Sequence, residues 1–302
     1  MISKINALIS NWNKFWFAPQ DAIQLALMRI FLYGTVFFLA FMRLWNTDLF
    51  NDSGLVPRSQ AIKLMSESMR PAFELYFWPD SAAFGIQILH ILILLLLTLG
   101  IGGRKLGWLA WLLSLGFIQR NYAAIYGADV ISSVFLFYMI FVNSSQSLLI
   151  FNYKSKISLI PQLTTDQLGS VMFRMIQIHI CIIYAYTGFE KLKGMSWWDG
   201  TALWTIFGNT QILMYDLTWL KHFPIFISVM TFTTVIFEIY FPVMMLIPRI
   251  RYYWLLLGAG FHVGIALLIG IWPFSLVMMS TYFLFIEPRI LRKYIQKINL
   301  KT

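Results

Sequence analysis

Long apolar segments follow one another along almost the whole chain, and no other feature constrains its fold as strongly. Hydrophobic residues make up 59% of the 302 residues and charged residues only 12%. This balance leaves too little polar surface to cover a water-soluble globule. Most of the segments reach the roughly 17–25 residues that a helix needs to cross a bilayer. They cover residues 24–44, 83–100, 106–126, 128–150, 169–189, 224–247, 252–271 and 273–287. The sequence therefore predicts an all-α, polytopic transmembrane helix bundle with about eight spans.

The connections between these segments predict a single membrane domain over residues 1–302, since no linker or low-complexity tract divides them. Two connections, 45–82 and 190–222, are longer than the rest and are expected to cover an outer cavity. The second contains residues 201–208, which predict a short interfacial or re-entrant helix. Residues 289–302 form a basic tail, which we expect on the cytoplasmic side against anionic lipid.

The basic residues predict the orientation of the chain. The net charge is +10, but these residues are scattered between apolar segments, so nucleic acid is not an expected partner. Residues 1–20 lack the apolar core of a cleavable signal and, with Trp12 and Trp16, predict an interfacial helix. Basic residues are more frequent in the connections on the side of the termini than on the side of Lys191. We therefore expect a multi-pass protein of the cell membrane with both termini in the cytoplasm.

The only cysteine, Cys181, lies inside an apolar segment. A lone cysteine excludes an intramolecular disulfide, a Cys-x-x-Cys redox relay and a thiolate metal cluster. Membrane thiol oxidases and quinone-epoxide reductases that use paired cysteines are therefore excluded as functional classes. No other residues have the spacing of a metal site, and none is predicted.

Polar side chains follow one face of the segment that ends at Lys191. Successive residues of a helix turn by about 100°, which places the members of this stripe within about a third of the circumference. The stripe consists of Arg174, Gln177, Cys181, Tyr184, Gly188 and Lys191. It is either the wall of a cavity that leads to Lys191 or, at Arg174 and Gln177, a set of hydrogen bonds between helices. Lys191 itself is either a base or an interfacial lysine that reaches water.

Two further ionisable residues lie deep in apolar segments. Glu238 must be paired, protonated or in contact with water at that depth. His262 stands among small residues, where it is more often a buried hydrogen-bonding group than a metal ligand. We expect both to share one cavity with Lys191. His90 has a weaker claim to function, and Asp129 is expected to form an ion-paired corner with the segment that begins at Arg120.

Several segments, in this order, resemble the HTTM domain family, the membrane domain shared with vitamin K-dependent gamma-glutamyl carboxylases. The resemblance covers nearly the whole chain. The matching segments are Trp12–Pro19 with Leu27–Ile30, Asp52–Arg58, Gly188–Leu192 ahead of Trp197, and Glu238 with Phe261–His262.

The resemblance implies that Lys191 takes the place of the carboxylase lysine that deprotonates vitamin K hydroquinone. The expected catalytic residues are Lys191, Glu238 and His262. The residues expected to bind substrate or line the cavity are Arg29, Tyr184, Glu190, Trp197 and Trp198. A quinol such as vitamin K hydroquinone is the implied cofactor, and membrane lipids and a secreted peptide or protein are the implied partners.

Three functional hypotheses follow. The first is an enzyme that modifies a secreted peptide or another partner at the outer face in a quinol- or lipid-dependent reaction. The second is a membrane protein without enzymatic activity that binds lipid or peptide, or assists maturation, through the same cavity. The third is a transporter, which is disfavoured because the sequence shows no inverted repeat with broken helices.

Overall fold

The computed structural model describes residues 2–49, 57–63, 67–68, 70–71, 79–120, 125–142 and 166–299. Within these ranges the chain forms helices and turns, and it contains no β-strand. The α-helices are Ile2–Phe17, Ala22–Met42, Arg58–Lys63, Asp80–Thr98, Gly103–Arg120, Gly127–Ile140, Gln167–Lys191, Met195–Trp198, Ala202–Phe207, Pro224–Leu246, Pro248–Leu268, Trp272–Ser280 and Pro288–Asn299. Short 3₁₀ helices cover Arg43–Leu49, Thr218–His222 and Thr281–Phe285. The predicted all-α class is therefore confirmed.

Five helices in the described ranges are long and apolar enough to cross a membrane, or up to six if the helices Trp272–Phe285 and Pro288–Lys297 count as one span. The five are Ala22–Asn46, Asp80–Thr98, Gln167–Lys191, Pro224–Leu246 and Pro248–Leu268. The chain is thus a multi-pass membrane protein.

Two of the eight predicted spans coincide with helices that fall short of these criteria. Gly103–Arg120 contains Arg104, Lys105 and Arg120, and Gly127–Ile140 has only 14 residues. The continuation of the latter, at 143–150, lies outside the described residues, as does most of the predicted turn at Asp52–Arg58. The count of eight spans therefore stays a prediction.

The chain divides into two compact units. The first comprises Met1–Met175 and Glu287–Thr302, and the second comprises Ile176–Ile286. The long helix Gln167–Lys191 contributes residues to both units, because the division falls between Met175 and Ile176.

The first unit contains two pairs of packed helices. Ala22–Met42 packs against Asp80–Thr98, and Gly103–Arg120 packs against Gly127–Ile140. An ion pair between Arg120 and Asp80 joins members of the two pairs. This contact corrects the expected corner, because Asp129 pairs with Arg43 and not with the Arg120 segment. Residues 121–124 of that segment lie outside the described ranges.

Both ends of the chain pack within the first unit. In the C-terminal helix Pro288–Asn299, the buried Arg292 donates from Nη2 to Asp21 Oδ1 at 2.5 Å. Asp21 also caps the helix that follows it, accepting from the backbone N–H of Ile23 at 3.0 Å. The N-terminal helix Ile2–Phe17 is held by Arg174, whose Nε donates to the carbonyl of Phe15 at 3.0 Å. A helix was predicted for residues 1–20, whereas residues 289–302 were predicted only as a basic tail.

The second unit packs around the helix Pro224–Leu246. This helix contacts Pro248–Leu268 and the short helices Met195–Trp198 and Ala202–Phe207. Leu203, Phe207, Leu220 and Ile227 form a small buried cluster where the short helices meet it. The short helix predicted within 201–208 is therefore present as Ala202–Phe207.

Candidate functional site

Lys191 and Glu238 form an ion pair in the second unit. Lys191 is the last residue of the helix Gln167–Lys191, and its Nζ lies 2.7 Å from Oε2 of Glu238. The side chain of Glu238 is only 6% exposed, whereas that of Lys191 is 22% exposed. Of the three alternatives predicted for Glu238, the structure shows pairing, and the partner is Lys191, the last residue of the polar stripe. The carboxylate is thus shielded while the amine retains access from outside the helix pair.

Gly188 makes this pairing possible by letting two helix backbones approach closely. A Cβ added at Gly188 would lie 2.7 Å from Cγ1 and 2.9 Å from the backbone N of Ile239, and 3.1 Å from Cβ of Glu238. Any larger residue would push the helices apart one turn before Lys191. A small residue at this position therefore sets the distance between Lys191 and Glu238.

The turn after Lys191 places an aromatic ring beside its ammonium group. Nζ of Lys191 lies 5.3 Å from the ring centroid of Trp197, within the range of a cation–π interaction. Trp198 has a different role, since its indole Nε1 donates to the carbonyl of Leu192 at 2.7 Å and its side chain is 60% exposed. Gly200 follows with a φ of 78°, a conformation that favours glycine. Trp197 contacts the ion pair, and Trp198 stabilises the turn.

Glu190 points away from this pair. Its Oε1 accepts a hydrogen bond from Nζ of Lys193 at 2.6 Å on the exposed surface. The bond raises the pKa of the Lys193 ammonium above its ordinary value. Lys191 therefore belongs to the buried pair with Glu238, whereas Glu190 and Lys193 form an exposed pair.

A second set of polar groups lies deeper along the same helix. The hydroxyl of Tyr184 lies 2.6 Å from Nε2 of His262 and 2.6 Å from the hydroxyl of Tyr282. Tyr184 and His262 are almost fully buried. Gly258 gives this cluster room, because a Cβ there would collide with the Tyr282 hydroxyl and with the ring of Phe237. His262 is therefore hydrogen-bonded to Tyr184, which in turn bonds Tyr282, and no hydrogen bond joins His262 to Lys191 or Glu238.

The structure brings together most of the predicted site residues of the second unit. Sequence reasoning missed Tyr282, which lies in the last apolar segment with nothing but its hydroxyl to mark it. Arg29 belongs to the first unit, where its side chain is 2% exposed. Gln177 donates to the carbonyl of Leu284 at 2.8 Å. This is a hydrogen bond between helices, the second of the two alternatives predicted for the polar stripe at Gln177.

The first unit contains a polar site that the sequence did not predict. Nη2 of Arg43 donates to both carboxylate oxygens of Asp129, each at 2.8 Å. His90 lies near this pair, and its Nε2 is 3.0 Å from Oγ of Ser114. These residues line a cavity of about 20 Å³ together with Gln87 and Ser132. No sequence motif links Arg43 with Asp129, which lie 86 residues apart.

Among the described residues, no group of three or more His, Cys, Asp or Glu side chains is placed to hold a metal ion. The ionisable groups of both units are instead arranged in pairs and in hydrogen-bonded chains. Proton transfer and the binding of polar ligands are the chemistry that such arrangements can support.

Comparison with known proteins found a similarity to the sporulation-delaying protein SdpB of Bacillus subtilis (strain 168). The two sequences are 29% identical over 210 residues, which make up 67% of this chain and 64% of SdpB. The chain thus matches just under two thirds of the length of that relative. No protein-family model matches the chain, and no solved structure matches it. It is an integral membrane protein similar to SdpB, and the resemblance to the HTTM family stays a prediction.

Proposed function

We propose that the Lys191–Glu238 pair is the reactive centre of an outer-facing site that modifies a secreted peptide or protein. The observation that carries this proposal is the 2.7 Å contact between an accessible amine and a carboxylate that is only 6% exposed. Ionisable groups at this depth in apolar helices are costly and mark functional sites. A carboxylase-like, quinol- or lipid-dependent modification is the reaction that the HTTM resemblance suggests.

The pair is arranged for proton transfer. A proton that passes from Nζ of Lys191 to Oε2 of Glu238 leaves a neutral amine and a neutral carboxylic acid, which removes both charges from the apolar surroundings. The lone pair of the amine can then take a proton from a bound substrate, and Glu238 gives its own proton to the departing product or to water, which restores the ion pair. Trp197 limits the access of water to Nζ on one side. Lys191 acts as the base in this scheme, and Glu238 controls its protonation.

A quinol such as vitamin K hydroquinone fits the chemistry of these side chains. Lys191 and Glu238 would hold its hydroxyl groups, and Trp197 offers an aromatic face for its ring. The interior beside Gly188 and Gly258 is filled by neighbouring side chains, so the place for such a ring is the end of the helix at Lys191. When bound, the quinol would supply reducing equivalents.

The substitution Lys191→Arg tests the proposal, because arginine keeps the positive charge but does not give up its proton. We expect Lys191→Arg to abolish the modification of secreted peptides, measured by mass spectrometry of the culture medium against a strain that lacks the protein. Lys193→Arg, on the neighbouring exposed pair, is the matched control and should behave as the parent protein. Retention of the modified masses by Lys191→Arg would contradict the role of Lys191 as base.

The same experiment addresses the second candidate, a lipid- or peptide-binding partner without enzymatic activity. The partial exposure of Lys191 beside Trp197 favours this alternative, because a cation next to an aromatic ring is a recognition surface in its own right. A purely binding role requires only the charge. It predicts that Lys191→Arg keeps its function and that Lys191→Met loses it.

The proposal includes a cellular setting. Eight spans with both termini in the cytoplasm would place Lys191 and Trp197 at the outer face, where a secreted partner arrives. The basic helix Pro288–Asn299 would then lie at the inner leaflet, facing anionic lipid. SdpB is named for a delay of sporulation, and a role in the same process is the biological setting that we propose for this chain.

A further inference from the structure

The cavity of the first unit is polar, although it lies between apolar helices. Arg43 and Asp129 line it as an ion pair, and His90, Ser114 and Ser132 contribute a ring and two hydroxyl groups. The side chain of Arg43 is 21% exposed, so the cavity has a route to the surface beside the ion pair, whereas His90 is 3% exposed. A polar cavity of this kind is a place for a polar ligand.

The hydrogen bonds of Ser114 fix the position of the proton on His90. Oγ of Ser114 lies 2.8 Å from the carbonyl oxygen of Ala110. A carbonyl oxygen can only accept a hydrogen bond, so the hydroxyl hydrogen of Ser114 must lie between the two oxygens. Since the hydroxyl hydrogen is committed to Ala110, the contact between Ser114 Oγ and His90 Nε2 at 3.0 Å requires the hydrogen to be on Nε2. The neutral ring of His90 therefore carries its lone pair on Nδ1.

That lone pair needs a donor. Nδ1 of His90 is buried and has no hydrogen-bond partner among the described residues. A buried polar atom without a partner is unfavourable, so a ligand that supplies a hydrogen bond to Nδ1 is stabilised by satisfying it. The side chains around the cavity offer a carboxylate and a hydroxyl oxygen as further acceptors and a guanidinium as donor.

We propose that this cavity binds one hydroxyl group, which donates a hydrogen bond to Nδ1 of His90 beside the Arg43–Asp129 pair. A volume of about 20 Å³ accommodates one group of this size. The hydroxyl group belongs either to a water molecule or to the glycerol headgroup of a lipid that reaches the cavity beside Arg43. The site is independent of Lys191 and Glu238, so it stands or falls separately from the proposed function.

Nitrogen-15 NMR of the full chain, labelled in histidine and reconstituted in bilayers, tests this assignment. We expect the His90 signals to show a proton on Nε2 and a hydrogen bond accepted at Nδ1. Loss of a signal pair in His90→Asn identifies them, and removal of His179, His222 and His262 by glutamine substitution provides a second route if His90→Asn does not fold. A proton on Nδ1, or an Nδ1 signal typical of a lone pair without a donor, would overturn the proposal.

Two arms of the experiment distinguish the source of the hydroxyl group. Magnetisation transfer from water to Nδ1 that is equal in phosphatidylcholine and phosphatidylglycerol bilayers indicates water. A hydrogen-bond shift at Nδ1 that appears only with phosphatidylglycerol indicates the lipid headgroup. Ser114→Ala should move the proton partly to Nδ1, because Nε2 loses its acceptor. Ser133→Ala, where the hydroxyl bonds Val130 on an exposed surface, should leave the signals unchanged.

Discussion

The two units each contain an ion pair and a buried histidine, yet the two arrangements differ in the chemistry that they permit. In the first unit the cation is Arg43, which gives two bonds from one nitrogen to Asp129. In the second unit the cation is Lys191, which gives one bond to Glu238. Arginine keeps its proton under all ordinary conditions, whereas lysine can release it. We therefore expect the first pair to keep both charges, and we propose proton exchange only for the second.

The space around the two histidines differs as well. His90 lines a cavity and bonds to a serine, whose small side chain leaves room. His262 bonds to Tyr184 within a cluster of aromatic rings, and Gly258 is needed there to avoid a collision. The first unit thus has internal space for a small ligand, whereas the second presents the Lys191 amine at the end of a helix.

Removal of the Lys191 side chain should produce the largest effect. Lys191→Met leaves the buried carboxylate of Glu238 without its partner, which typically costs about 3–5 kcal/mol. Unfolding of the purified protein in detergent measures this loss, and the double variant Lys191→Met with Glu238→Gln should recover much of it. Lys193→Met, on the exposed pair, should leave stability unchanged. Equal losses of stability in Lys191→Met and Lys193→Met would contradict the larger contribution predicted for the buried pair.

Gly188→Ala should come next in size. The added methyl group would meet Ile239 at 2.7 Å, and overpacking of this kind costs about 1–3 kcal/mol. It should also separate Lys191 from Glu238, so function should fall together with stability. Gly260→Ala, where an added Cβ meets nothing within 4 Å, is the matched control. Equal stability and function of Gly188→Ala and Gly260→Ala would contradict the close approach of the helices at Gly188.

Exchanging the two cations sharpens the comparison further. Arg43→Lys keeps a charge near Asp129 but loses the rigid guanidinium that holds two N–H groups against the carboxylate, so we expect a loss of stability of about 1 kcal/mol. Lys191→Arg should change stability by a similar amount but abolish function. The thermal unfolding of both variants, beside the secreted-peptide assay, tests this. A functional Lys191→Arg protein would make the two pairs equivalent.

The smallest expected effect lies at Asp166, an exposed group ahead of the helix Gln167–Lys191. Burial alone would raise the pKa of the Asp166 carboxyl, but hydrogen bonds from the Gly169 N–H and from Arg104 hold it below its ordinary value. Its contribution to stability is thus present above the unfolded pKa and is lost as the pH falls through the lower folded pKa. Asp166→Asn should flatten this acid dependence in an unfolding titration. If the stability of Asp166→Asn fell with pH as steeply as that of the parent protein, the role assigned to Asp166 would be wrong.

The sequence predicted much of the second unit, because its polar residues stand out in apolar surroundings. The helical period placed Tyr184, Gly188 and Lys191 on one face, and the cost of a buried carboxylate required a partner for Glu238. The partner itself could not be chosen from the sequence, since the pairing joins residues 47 positions apart.

The first unit was predicted less well for the same physical reason. Asp129 was expected in an ion pair with the segment that begins at Arg120, and its actual partner Arg43 gave no signal because charged residues are ordinary at helix ends. The cavity beside His90 depends on the packing of four helices, which no local pattern encodes. Tyr282 was missed because a tyrosine in an apolar segment resembles any other aromatic residue until its hydroxyl finds a partner.

The central claim is that Glu238 controls an amine on Lys191 that is reachable from outside the cell. Labelling intact cells with a membrane-impermeant amine reagent, followed by mass spectrometry of the segment that contains Lys191 and Lys193, tests it most directly. We predict fast labelling of Lys193, slower labelling of Lys191, and a higher ratio of Lys191 to Lys193 labelling in Glu238→Gln, because the carboxylate no longer favours the charged ammonium. Labelling only in inverted vesicles, or a ratio that Glu238→Gln leaves unchanged, would contradict the claim.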